Sequence, residues 1–202
     1  MVKALLLIFD PANTWEKIET TKHSIARVFF LYLLPIMLLA FALEGWLLMQ
    51  FGVERGHVVE EIVRLRPEVI LRYELVQFAL GLTMCFVGAW FFKMTGEGFH
   101  RRHSYTECFA TLGYSLGPYF LTRILDGWPV LNSWIPWTIG VLLALSVLYR
   151  GVPRLMKPDP SSALGVYLLC SMLLIILLGL AHFIATRVLD EKILQAGFNL
   201  TM

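Results

Sequence analysis

Residues 28–51 read VFFLYLLPIMLLAFALEGWLLMQF, an almost unbroken apolar run behind Arg27, and this run decides the fold class. About 20 such residues cross the roughly 30 Å of bilayer hydrocarbon as a helix. A helix satisfies its own backbone hydrogen bonds there, which open chain does not. Pro35 should kink the run, and Glu44 is its one ionisable residue. Similar runs follow at about 73–92, 105–125, 133–148 and 163–186, the third of the five, 105–125, being the least apolar. The expected fold is therefore all-α: a polytopic membrane bundle of five transmembrane helices with a short N-terminal interfacial helix. Its expected organisation is an N-terminal segment at 1–27, a five-helix domain at 28–186 and a short tail at 187–202.

Composition points the same way. Of 202 residues, 57% are hydrophobic, against about 45–50% in soluble domains. Mean hydropathy is +0.67. Net charge is only +2, with no polybasic run or acidic tail, so nucleic acid is not an expected partner. Cys85, Cys108 and Cys170 lie in apolar runs without CxxC spacing and read as packing residues, the alternative being a redox or metal role. No metal or cofactor is expected.

Between the spans, the sequence predicts smaller features. Ala4 to Phe9 is shorter than the apolar core of a secretory signal, and Asp10-Pro11 follows it. Asp10 as N-cap and Pro11 at the first helical position start a helix to about Thr20, with Trp15 and Ile18 on one face at the membrane interface. Gly52 to Pro67 reads as a surface helix with Glu60 and Arg64 one turn apart. With the N-terminus inside, Lys and Arg in the connecting segments sum to 10 inside and 7 outside, which predicts a cytoplasmic N-terminus and an external C-terminus.

Several residues could carry chemistry. Gly113-Tyr114-Ser115-Leu116-Gly117 is both a G-x-S-x-G and a G-x-x-x-G. The first marks a hydrolase nucleophile at a strand-to-helix turn; the second lets two membrane helices approach closely, and its mid-span position favours packing. Pro118 should bend the third span and free the Tyr114 carbonyl, shaping the bundle or opening a polar cavity. Glu44, Arg123 and His182 form a candidate intramembrane polar site. Glu44 either snorkels to the headgroups or pairs internally, with Arg123 as its natural partner, and His182 reads as a hydrogen-bonded packing residue or a proton carrier. Arg101 and Arg102, in the basic loop His100 to His103, and Trp15 are candidate lipid or partner contacts; that loop also satisfies the positive-inside rule.

Three segments together resemble the Yip domain family: Asp10-Pro11 with Thr14-Trp15-Glu16-Lys17-Ile18, Gly113 to Pro118, and Tyr149-Arg150-Gly151-Val152. The resemblance covers nearly the whole chain and implies five spans with a cytoplasmic N-terminus. The family is named for eukaryotic proteins that interact with Ypt/Rab GTPases, so a GTPase partner follows by family analogy only. Eukaryotic members carry a long polar segment before the first span, whereas about 27 residues precede it here, which resembles a bacterial member of the cell inner membrane. The function expected is a non-enzymatic membrane scaffold or adaptor, with lipids, other membrane proteins or further copies of itself as partners. A small transporter or channel lined by Glu44, Arg123 and His182 is the alternative, and an intramembrane serine hydrolase using Ser115 is a distant third.

Overall fold

The computed structural model describes residues 2–21, 24–55, 61–99, 103–129 and 131–198. Its helices are α1 (Val2–Phe9), α2 (Pro11–Glu19), α3 (Ile25–Phe51), α4 (Pro67–Gly98), α5 (Tyr105–Thr122), α6 (Trp134–Met156) and α7 (Ala163–Phe198). A 3-10 turn, Arg123–Gly127, follows α5. The fold is all-helical apart from a small ribbon after α3. Helices α3, α4, α6 and α7 as far as Leu189 are each long and apolar enough to cross a membrane.

α5 is different because of where it sits. Every residue from Cys108 to Phe120 is buried, and the helix packs against α3, α4 and α6 at once. A helix enclosed by protein needs no lipid-facing apolar surface, so Gly, Ser, Thr and Tyr are tolerated in it. This explains why the third run is the least apolar. Its N-terminus is fixed by a capping box, in which Ser104 Oγ accepts from Glu107 N at 3.2 Å and Glu107 Oε2 from Ser104 N at 3.0 Å.

Prolines shape two other spans. Pro35 has no N–H for the Leu31 carbonyl, and α3 widens into a π turn over Phe29–Leu33 just before it. α6 ends in a second π turn, Val152–Met156, containing Pro153, and Lys157 closes it in the left-handed region at φ 45°.

Two expectations need correction. The surface helix expected over Gly52 to Pro67 is not formed: Gly52, at φ 74°, ends α3, and Val53–Arg55 pairs antiparallel with Glu61–Val63. Valine and isoleucine near a glycine break suit a ribbon better than a helix. Glu60 lies outside the described residues. Next, α7 continues to Phe198, beyond the span end expected near Thr186. The Trp15 and Ile18 face of α2 turns inward: Trp15 is 0% and Ile18 3% exposed, both packed into the bundle. The outward apolar residues of the N-terminal segment belong to α1 instead, with Phe9 82% exposed beside Leu5 and Leu6.

Candidate functional site

Two sites gather the residues singled out in the sequence. At the end away from the N-terminus, α3 supplies Glu44, α4 supplies Tyr73 and Gln77 one turn apart, the 3-10 turn after α5 supplies Arg123 and Asp126, and α7 supplies His182. Gly127 lets that turn lie against α3, since a Cβ there would stand 2.9 Å from the Glu44 carbonyl oxygen.

Glu44 is 0% and Arg123 3% exposed. Arg123 Nη2 donates to Glu44 Oε1 at 3.0 Å and to the Tyr73 hydroxyl at 3.2 Å. That hydroxyl donates in turn to Glu44 Oε1 at 3.3 Å, and Gln77 Nε2 donates to the same oxygen at 2.9 Å. Nη1 makes an ion pair with Asp126 Oδ2 at 2.8 Å and lies 3.4 Å from His182 Nδ1. Taking an ion pair out of water costs several kcal/mol per ion, on the order of what good geometry recovers, so the added donors to Glu44 matter. The His182 ring meets Trp134 edge-on with centroids 4.7 Å apart and lies 5.9 Å from Trp137.

Some polar capacity is left over. Glu44 Oε2, both Glu74 carboxylate oxygens, Asp126 Oδ1 and His182 Nε2 are buried without a hydrogen-bond partner. A cavity of about 10 Å³ lies against Arg123 and His182, lined also by Gln77, Phe41, Met84 and Phe120 among others. That volume suits about one water molecule. Sequence reasoning placed Glu44, Arg123 and His182 here but missed Tyr73, Gln77 and Glu74. A glutamine and a glutamate inside an apolar span were the available signal, because each needs a partner there.

In the middle of α5, Gly113 and Gly117 face α3. A Cβ on Gly113 would stand 3.0 Å from Leu33 and 3.1 Å from Val28, and one on Gly117 would collide with the Tyr32 hydroxyl. Tyr32 donates to the Tyr114 carbonyl at 3.2 Å, the carbonyl that Pro118 leaves without its helical donor. The Tyr114 ring packs against Tyr32 at a tilt of 52° with centroids 4.8 Å apart and meets Trp15 edge-on at 5.9 Å. Trp15 lies over Gly151, where a Cβ would stand 2.6 Å from its ring. The segments Asp10 to Ile18, Gly113 to Pro118 and Tyr149 to Val152 thus meet around one buried tryptophan.

The Yip1 domain profile matches residues 5–190. The chain belongs to the Yip1 domain family. Comparison with curated proteins and with solved structures finds no match. Within this Yip1 domain Trp15 is turned into the protein, 0% exposed. Ser115 is fully buried and donates to the Thr111 carbonyl at 2.8 Å. His182 sits with Arg123, eight residues and about 12 Å along the helix from Ser115, so it does not serve that hydroxyl as a base. Arg101 and Arg102 lie outside the described residues; His103, next to them, is buried against Gly96. Nearby, Lys157 Nζ lies 2.7 Å from Glu19 Oε1, and this hydrogen-bonded ammonium holds the Glu19 carboxyl below its ordinary range.

Proposed function

We propose that this Yip1-domain protein is a membrane scaffold or adaptor that works through helix packing and through contacts with lipids and other membrane proteins, without covalent chemistry. One observation carries the reading. The polar side chains drawn together by α3, α4, α5 and α7 are turned inward on each other around space for about one water, while the outer faces of the spans carry exposed Leu31, Trp46, Leu75, Trp90, Leu142 and Leu168. Such an arrangement offers apolar surface to neighbouring lipids and membrane proteins. The N-terminus is cytoplasmic in this reading, and the membrane is a cell inner membrane. A GTPase partner rests on family analogy alone.

A small transporter is the second reading. Buried oxygens of Glu44, Glu74 and Asp126 without partners, together with a water-sized cavity against Arg123 and His182, favour it. Two measurements separate the readings. Photo-crosslinkers at Trp46, Trp90 and Leu142 in native membranes should give defined adducts, either to another copy or to other membrane proteins. Sealed vesicles carrying the pure protein should pass protons and alkali cations no faster than protein-free vesicles; faster flux would replace the scaffold by the transporter.

A further inference from the structure

The structure assigns an anionic phospholipid site to the groove between the end of α6 and the start of α7. Pro153 lies in the π turn that ends α6, and Lys157 turns the chain back at φ 45°. The gap is about 510 Å³ and is lined by Tyr149, Arg150, Pro153, Arg154, Leu164 and Tyr167, with Pro160 and Ala163 completing it.

Charge selects the occupant. Arg150 and Arg154 stand one helical turn apart and both line the groove, and neither makes an ion pair among the described residues. Arg154 is near enough to Glu19 to act on its carboxylate, but Glu19 is taken by Lys157. Two free guanidiniums at this spacing match a phosphodiester, which accepts from planar forks.

The rest of the groove is amphipathic in the same sense. Tyr149 and Tyr167 meet edge-on with centroids 5.1 Å apart, as rings do where hydrocarbon gives way to headgroups. Leu164, Leu168 and Met172 continue from the groove along one exposed edge of α7, each four residues after the last. An acyl chain laid there meets apolar side chains while its phosphate reaches the arginines. A free inorganic anion would use only the charged half of this surface, so the lipid is the better match.

This site deepens the lipid-contact part of the scaffold reading and is tested apart from any protein partner. The purified protein is exchanged into equal phosphatidylglycerol and phosphatidylcholine, and retained lipid is counted by native mass spectrometry. Wild type should keep phosphatidylglycerol preferentially. Arg150→Gln with Arg154→Gln should weaken that retention roughly 30-fold, about fivefold for each arginine near a charged headgroup. Lys93→Gln, which alters an exposed cation paired with Glu97, should leave it unchanged. The single Arg150→Gln change, at an exposed position, and the competition between lipids on wild type both remain readable if the double variant fails to fold. Equal retention of the two lipids, full retention by the arginine variants, or displacement of the lipid by millimolar inorganic phosphate would each overturn the assignment.

Discussion

Tyr32 in α3 donates its hydroxyl hydrogen to the backbone carbonyl of Tyr114 in α5, so a side chain of one span supplies the bond that Pro118 removes from the other. The same hydroxyl occupies the space that a side chain on Gly117 would fill. Glycine, proline and tyrosine here form one latch between two helices.

The latch predicts non-additive effects. Gly117→Ala should destabilise by about 1–3 kcal/mol through overpacking. Tyr32→Phe should cost about 1–3 kcal/mol by leaving a buried carbonyl unpaired. Together they should cost less than their sum, because phenylalanine removes the hydroxyl that an alanine at 117 meets. Thermal unfolding in detergent checks this; strict additivity would show that the two positions do not share the space.

Ser115→Ala should change stability by less than about 1 kcal/mol, since its hydroxyl only bonds back to Thr111 within the same helix. Gly113→Leu should sharply lower the folded yield. A fluorophosphonate probe that labels wild type and not Ser115→Ala would restore the hydrolase reading.

Glu44→Gln and Arg123→Gln should each destabilise by about 3–5 kcal/mol, since each leaves the other charge buried and incompletely paired. Their double-mutant cycle should show a coupling of about 1–3 kcal/mol. Tyr73→Phe should weaken that coupling, because its hydroxyl bonds to both partners. A coupling near zero would mean that the ion pair does not hold these helices.

Legibility differed from element to element. The four apolar spans could be read directly, because lipid solvates them and the amino-acid types record that contact. α5 was legible as a span only from its position in the series, since its environment is protein; the signature of its start, Ser104 with Glu107 three residues later, was present and went unread. Glu44 and Arg123 could be matched because an isolated charge in a span demands a partner. Tyr73 and Gln77 were missed because residues with an apolar body satisfy an apolar pattern while adding polar contacts. Trp15 was read with Ile18 as one face of α2 and as a lipid or partner contact, and its contacts with Tyr114 and Gly151 were not legible because both are distant in sequence. The ribbon after Gly52 was misread as a helix because apolar and charged residues there also fit helical spacing.

The Glu19–Lys157 pair makes stability depend on pH. The carboxyl is held below its ordinary value of 4.5, so its contribution is complete above that value and is lost as pH falls through the lowered one. Lys157→Met should therefore melt slightly below wild type from pH 7 to 5, and the gap should close in more acid solution. Because both side chains are partly exposed, salt should narrow the gap as well. A gap that persists below pH 3 would assign the effect of Lys157 to its backbone position instead.

The charge asymmetry predicts a cytoplasmic N-terminus and an external C-terminus. Fusions at Met202 to one reporter active only in the cytoplasm and another active only outside should light up with the second alone. The reverse pattern would invert the topology and place the Arg150–Arg154 groove in the outer leaflet.

The enclosure of α5 bears on how the protein is made. Its glycine, serine, threonine and tyrosine content makes it a poor guest for lipid on its own. Synthesis from the N-terminus delivers α3 and α4 first, so α5 emerges beside two of its partners, and α6 then covers it. A nascent chain truncated after Thr122 should hold α5 loosely at the translocon exit, and one extended through Met156 should release it into the bilayer. Membrane insertion and tertiary assembly are coupled for this helix, so a packing defect at Gly113 or Gly117 would surface as failed integration during translation.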